Sequence, residues 1–389
     1  MTEIPHAVSH APRRGARRGV AALGLAWALI ACVESRGTAA TAQVPSDSSF
    51  AALVASLSES GGYFDTDNLI SNESSYLHVI GTLENRGLEG GAYIGVGPDQ
   101  SFAYMAVVRP EMAYIIDIRR DNLLQHLWFK AMFELAPTRV EYLSLMFGRT
   151  PPPDPRGWVD VTVADLAAFV DGQPYDEAVE AESRSRVLEA VESSGVPLTV
   201  DELATIGSIH HRFAAFGLDL RFASHYRGPR AYYPTYRQLL LETDRQDRRM
   251  SYLAAEDGYT FLRRMQLEHR VVPVVGDLAG EQALPAIAAD IVARGLTVTT
   301  FYTSNVEFYL MRDGTFDRFA ATVAELPADP RSVIIRSYFN RFSTRLSQAV
   351  EGYASTQLLQ PIDAFVDATR GGGFTGYWDL LTRGSLENR

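Results

Sequence analysis

The chain of 389 residues contains a single cysteine, Cys32, and a single lysine, Lys130. One cysteine excludes an intrachain disulfide, and its position at the end of an apolar leader argues against a catalytic thiol. One lysine excludes a P-loop, which requires Gly-Lys-Ser/Thr, and leaves little room for Schiff-base chemistry. Arginine carries every other basic charge. There is no Gly-x-Ser-x-Gly elbow for a nucleophilic serine and no His-Glu-x-x-His for zinc. His210 and His211 are adjacent, not four apart, and a pair of that kind on a helix reads as structural. No metal is expected. A hydrolase acting through Ser304 or a histidine is therefore the weakest reading of the chain.

Positive charge is also short: 36 basic residues face 47 acidic ones, a net charge of −11. Residues 1–31 read as a leader, with Arg13, Arg14, Arg17 and Arg18 ahead of an apolar run over 20–31. The run is shorter than the roughly 20 residues that span a bilayer. It closes on Leu29-Ile30-Ala31-Cys32, which resembles the bacterial lipobox, with cleavage before Cys32 and lipidation of its sulfur. A chance cysteine in an apolar leader is the bland alternative. Val33 stands where an aspartate commonly signals inner-membrane retention, so the expected place is the periplasmic side of an outer membrane. The alternative is a cytoplasmic protein whose leader is not processed. Loss of four arginines and Glu3 takes the net charge from −11 to −14, a sign that disfavours nucleic acid. Residues 32–50 are small and polar and read as a flexible tether. Residues 51–389 then form an α/β domain with a helical insertion at about 156–265.

The core pattern is clearest over residues 90–122. Apolar runs at 92–94 and 113–116 each end in residues suited to a nucleotide. The first stops at Gly95-Val96-Gly97-Pro98-Asp99-Gln100, where glycines let backbone N–H groups approach a ligand. Gly95, Gly97, Asp99 and Gln100 are the binding candidates there. The second stops at Asp117, with Arg119 beside it, where an acid can accept ribose hydroxyls. Strand, glycine turn, helix, strand and acid describe the opening of a Rossmann-like fold. Tight turns in an ordinary α/β core are the competing explanation. Upstream, Asp65, Asn68 and Glu73 either cover a ligand or belong to a loop before a helix at 76–83 capped by Ser71 or Asn72.

Downstream, residues 123–135 have helical spacing, with Asp121 or Asn122 as N-cap and His126 as a non-ligand histidine. A short helix follows at 141–147, and the proline run 150–155 marks a boundary. Helices are expected at 163–170, 175–193, 200–206 and 208–216, the last capped by Ser208. A loop follows with Arg221, His225, Tyr226, Arg227, Arg230, Tyr232, Tyr233 and Tyr236. Arginines among aromatics suit an anionic or planar ligand, with Arg227 and Arg230 as substrate contacts beside Asn68, or equally an interface with the main domain. Strands are expected at 271–275, 296–302 and 332–338, and helices at 280–294 and 342–353. Gly371-Gly372-Gly373 reads as a loop before Tyr377 and Trp378, which pack back on the core.

Ligands in open α/β sheets gather beyond the carboxyl ends of the strands. That places residues 95–100, Asp117, Asp277 and residues 302–305 on one rim. The order resembles the class I S-adenosylmethionine-dependent methyltransferase fold. The resemblance implies that Gly95-Val96-Gly97 passes beneath the methionine part of S-adenosylmethionine, Asp117 grips the ribose and Asp277 lies near the adenine. Tyr302 and Asn305 would orient the nucleophile. Two departures stand out: Tyr93 and Ile94 replace the acid that usually precedes the first glycine, and no proline follows Asn305. The phrases GGYFDTDNLISNE, GVGPDQSFAYMA, IIDIRRDNLLQH, PVVGDLAG and TSNVEFYL resemble an uncharacterised bacterial hypothetical-protein family with this core, over most of residues 60–340. Export conflicts with a methyltransferase, because S-adenosylmethionine is made and held in the cytoplasm. Two readings follow: a methyltransferase-like protein binding S-adenosylmethionine or a related nucleoside, or an exported, lipid-anchored binding module using the crevice for another anionic or nucleoside ligand.

Overall fold

A computed structural model describes residues 47–225, 230–340 and 346–388. Six strands form one sheet: β1 (Ala92–Gly95), β2 (Met112–Asp117), β3 (Val271–Val275), β4 (Val298–Ser304), β5 (Ala328–Phe339) and β6 (Ser355–Pro361). Their order across the sheet is β3-β2-β1-β4-β5-β6. The first five run parallel and β6 runs antiparallel to β5. β1 and β3 are buried along their whole length, as expected where helices cover both faces of a parallel sheet. The fold is the Rossmann-like α/β class expected from the motif order. The chain builds β1, β2 and β3 outward on one side and then returns to place β4 on the other side of β1. This reversal opens a crevice between the carboxyl ends of β1 and β4.

Several boundaries differ from the sequence reading. The helix Asp47–Leu57 begins inside the stretch expected to be a tether. Phe50 anchors it, buried and stacked on His269 with ring centroids 5.0 Å apart. Lys130 reaches the same place: its ammonium lies 5.1 Å from the Phe50 ring centroid and pairs with Glu134 at 2.7 Å. The one lysine is thus structural. The helix Arg120–Leu135 has Arg119 as N-cap, ahead of both residues expected there, and Asp121 falls in its first turn, where the helix dipole favours an acid. Residues 200–216 form one helix, Val200–Phe216, not two. Thr199 and Glu202 make its capping box, so Ser208 is interior and not a cap. No side-chain cap from Ser71 or Asn72 starts the segment at Tyr76, whose N-cap is Ser75.

The C-terminal part departs most. Residues 346–353 are turns and irregular chain where a helix was expected. β6 and the helix Ile362–Arg370 were not anticipated. β6 buries Gln357 and Gln360 beside Leu358 and Leu359, so its apolar pattern is too broken to stand out. The helix Glu256–Leu267, placed in the insertion up to residue 265, packs on the helices Gln100–Val108 and Arg120–Leu135 and leads directly into β3. It acts as the crossover that closes the β2-to-β3 connection. Among the described residues no helix is long and apolar enough to cross a membrane. Cys32 and the leader lie outside the described residues.

Candidate functional site

A crevice of about 400 Å³ lies over the carboxyl ends of β1, β2, β3 and β4. Gly97, Gln100, Asp117, Asp277 and Asn305 all line it, together with Asn68 and Glu73 from the segment before β1. The expected convergence of four polar strand ends on one rim is therefore present.

The glycine loop turns at Gly97, whose φ of +77° is strained for any residue with a Cβ. His126 holds the loop from below, its Nε2–H donating to the Gly97 carbonyl at 2.9 Å. Burial pushes the His126 pKa down to about 4, which keeps the ring neutral and suited to this role. Gly95 does not line the crevice. A Cβ there would stand 2.6 Å from the Tyr93 ring, so its glycine serves the packing of Tyr93 and not the approach of a ligand. Asp99 is also turned away. It accepts from the Tyr236 hydroxyl at 2.8 Å and borders a separate small void with Ser251 and Tyr252. Burial raises its pKa to about 6, with the tyrosine hydrogen bonds opposing the shift.

At the end of β2, Asp117 and Arg119 form a fork. Arg119 donates from its backbone N and Nε to Asp117 Oδ1 at 2.9 and 3.1 Å, and from an Nη to Oδ2 at 2.8 Å. Its other Nη holds the carbonyls of Thr66 and Asp67 at 3.1 and 3.0 Å. Arg119 does not itself line the crevice, contrary to its expected place in the binding set. It positions Asp117 and fastens the upstream segment over the strand ends. A carboxylate oxygen has two lone pairs, and Oδ2 uses one of them on Arg119, leaving one for a ligand hydroxyl. At the end of β3, Asp277 accepts from the Ala279 N–H at 2.9 Å. Its own N–H donates to Glu59 Oε1 at 2.9 Å.

At β4 the expected roles shift. Tyr302 is fully buried and does not line the crevice, so it cannot touch a ligand. Its hydroxyl accepts from Gln100 Nε2 at 3.0 Å and donates to Glu73 Oε2 at 2.7 Å. Ser304 follows in a left-handed conformation, φ +54°, and its hydroxyl donates to Glu73 Oε1. Non-glycine residues held in that region mark positions the surroundings over-determine, often at ligand sites. Gln357 of β6 completes the set, donating from Nε2 to Glu73 Oε2 at 2.7 Å. Glu73, weighed in the sequence either as a cover for the ligand or as a loop residue, is the hub of this end of the crevice.

The arginine-rich loop behaves differently from its sequence reading. Arg230 donates to the Tyr232 hydroxyl and stacks over its ring, away from the crevice. Arg227 lies outside the described residues. Arg221 donates to the Tyr233 carbonyl at 2.8 Å, and it is Phe222 and Tyr233 that line the crevice. Phe222 and Tyr233 face the cavity while Arg221 and Arg230 hold the loop. Tyr377 packs back as expected, against Phe308 with centroids 5.3 Å apart. Among the described residues no group of three or more His, Cys, Asp or Glu side chains is arranged to hold a metal ion.

The domain of unknown function DUF7790 matches residues 68–150 and 160–368. The chain belongs to that family. The DUF7790 match resumes just after the proline run and includes the helices 163–216, so the insertion is part of the family's own domain. No curated protein matches the sequence. Among solved structures, the rRNA methyltransferase aviRa from Streptomyces viridochromogenes is similar at 10% identity, with a TM-score of 0.29, over 80% of this chain and 99% of that one.

Proposed function

We propose that the crevice binds S-adenosylmethionine or a related uncharged or cationic nucleoside, as a methyltransferase-like protein. The observation that carries this reading is the shared exposure of Asp117 and the left-handed Gly97 to one cavity at the switch point of the sheet. Asp117 offers one free lone pair to a ribose hydroxyl, and Gly97 leaves room for close approach of the ligand. Asp277 stands one strand further out on the same rim, where an acid can accept from an adenine amine. The charge of the crevice supports the same class. Arg312 pairs with Asp313 and Arg119 with Asp117, so Glu73 and Asp277 are left without an ion pair among the described residues. A surplus of carboxylates repels phosphates and favours a sulfonium or an ammonium.

S-adenosylmethionine, when bound, supplies an electrophilic methyl group. The protein's own part in such a transfer is positioning. Asn305 lines the cavity, and Tyr302 and Ser304 fix the Glu73 carboxylate that lines it too. Titration of the full chain with S-adenosylmethionine and S-adenosylhomocysteine tests the reading. Micromolar affinity in the wild type, reduced at least tenfold in a folded Asp117→Ala variant, is the expected result. Absence of heat at millimolar ligand overturns it.

A second reading rests on Leu29-Ile30-Ala31-Cys32: a lipid-anchored, exported module that uses the same crevice for binding without turnover. Labelling with radioactive palmitate in a bacterial host, lost in Cys32→Ala, supports export, and an unlabelled chain retaining residues 1–31 removes it.

A further inference from the structure

We propose that the β4–β5 end of the crevice is a receptor for a primary ammonium carried on an aromatic or apolar body, with Glu73 as its counter-charge. In the nucleoside reading the nucleoside itself draws on β1, β2 and β3, while this end, with Asn305, orients the methyl acceptor; the proposal rests on that reading only in sharing the crevice. Glu73 is 1% exposed and lines the cavity. Its protein partners, Tyr302, Ser304 and Gln357, are all neutral. A carboxylate removed from water is normally matched by a cation, and among the described residues none pairs with this one. The three donors offset part of its lost hydration and leave its charge uncompensated. They also leave one lone pair on Oε1, which takes only the Ser304 hydroxyl.

Gln100 provides the second, independent mark. The Tyr302 hydroxyl has one proton and gives it to Glu73, so the Gln100 atom facing Tyr302 must be the amide nitrogen. That fixes the orientation of the amide and leaves Gln100 Oε1 buried with no partner. Gln100 is 6% exposed and lines the same cavity as well as the small void beside Asp99. Two acceptors, one of them charged, thus await N–H groups that the protein does not supply. A quaternary ammonium or a neutral ring nitrogen cannot serve both.

The walls at this end are aromatic. Phe308 meets Tyr377 and Tyr309 edge-on, with centroids 5.3 Å apart in both cases, and Phe64 meets Tyr309 at 4.9 Å. Such walls receive an apolar body and attract a cation through their ring faces. An anionic ligand meets the opposite: an acid floor and no unpaired arginine among the described lining residues.

Calorimetric titration of the full chain at pH 7 with 2-phenylethylamine and its uncharged isostere 2-phenylethanol tests the proposal, with no nucleoside present. The expected result is binding of the amine at least tenfold tighter than the alcohol. Equal binding, or no amine binding at millimolar concentration, overturns it, and this comparison uses wild-type protein only. In Glu73→Gln, checked for folding by circular dichroism, the preference is expected to vanish, and a retained preference overturns the assignment to Glu73. Because Asp117→Ala tests the nucleoside separately, failure of either reading leaves the other standing.

Discussion

The Tyr302 hydroxyl donates to Glu73 Oε2 at 2.7 Å, joining the end of β4 to a segment 229 positions earlier in the chain. This bond orients a buried carboxylate that lines the crevice and has no cation beside it among the described residues. Tyr302 thereby acts on the site without reaching it. In Tyr302→Phe the fold is expected to persist, with a loss of about 1–3 kcal/mol because Gln100 Nε2 and Glu73 each lose a buried partner. Urea denaturation followed by fluorescence measures it, and an unchanged midpoint refutes the assigned role.

The Asp117–Arg119 fork predicts a larger effect. Both side chains are mostly buried, at 11% and 7% exposure. Asp117→Ala leaves a guanidinium with only backbone carbonyls for company, and removal of one member of a buried pair costs about 3–5 kcal/mol. Arg119→Met in the same chain is expected to restore part of this loss. A double-mutant cycle in thermal denaturation reads the coupling, and strict additivity of the two substitutions shows that the pair does not act as a unit.

Opposed titrations set the pH dependence of stability. Burial raises the Asp99 carboxyl from its ordinary value of 3.8 to about 6. Between those values the native state holds a proton that the unfolded chain has released, so this group lowers stability as pH rises from about 4 to 6. His126 and His78 are lowered to about 4 and His210 to about 3 by burial. Between those values and 6.5 the unfolded chain takes up protons that the native state refuses, so the histidines raise stability over the same climb in pH. Glu242 and Glu307, raised by burial like Asp99, oppose the histidines too, and it is the histidine contribution that is expected to rise from pH 4.5 to 6.5. Asp99→Asn keeps an acceptor for Tyr236, removes one of the opposing contributions, and stabilises the protein at pH 7 by on the order of 2–3 kcal/mol. Denaturation midpoints at the two pH values check both signs.

Ser304 separates backbone strain from hydrogen bonding. Ser304→Ala loses the bond to Glu73 and keeps a Cβ at φ +54°. Ser304→Gly loses the same bond and relieves the backbone. The glycine variant is therefore expected to be more stable than the alanine variant by about 1 kcal/mol. The reverse order, measured by the same denaturation, shows that the strand end is not strained.

The rim was legible where apolar strands end in polar residues. Gly97, Asp117, Asp277 and Asn305 each follow a short buried run, and a parallel sheet necessarily brings such ends together. Tyr302 sits in the same kind of motif yet faces inward, because strand residues alternate sides, while the Tyr93 ring closes over Gly95 and the turn residue Asp99 is held by Tyr236. For Glu73 the sequence left cover and loop open, since the partners that decide come from β4 and β6. β6 itself was hidden by its buried glutamines, which are satisfied by the fold and not by sequence neighbours: Gln357 reaches Glu73, and Gln360 reaches the Arg383 carbonyl.

By itself, then, the sequence determined the α/β class, the strands that end in acids and glycines, and a negative overall charge, since period, turn chemistry and composition act locally along the chain. Which face each of those residues presents was decided only by the tertiary structure. So was the assembly of an unpaired carboxylate with aromatic walls from segments as distant as Glu73 and Tyr377. Burial and hydrogen-bond partnership are properties of the closed core, and no stretch of the chain contains them before it folds.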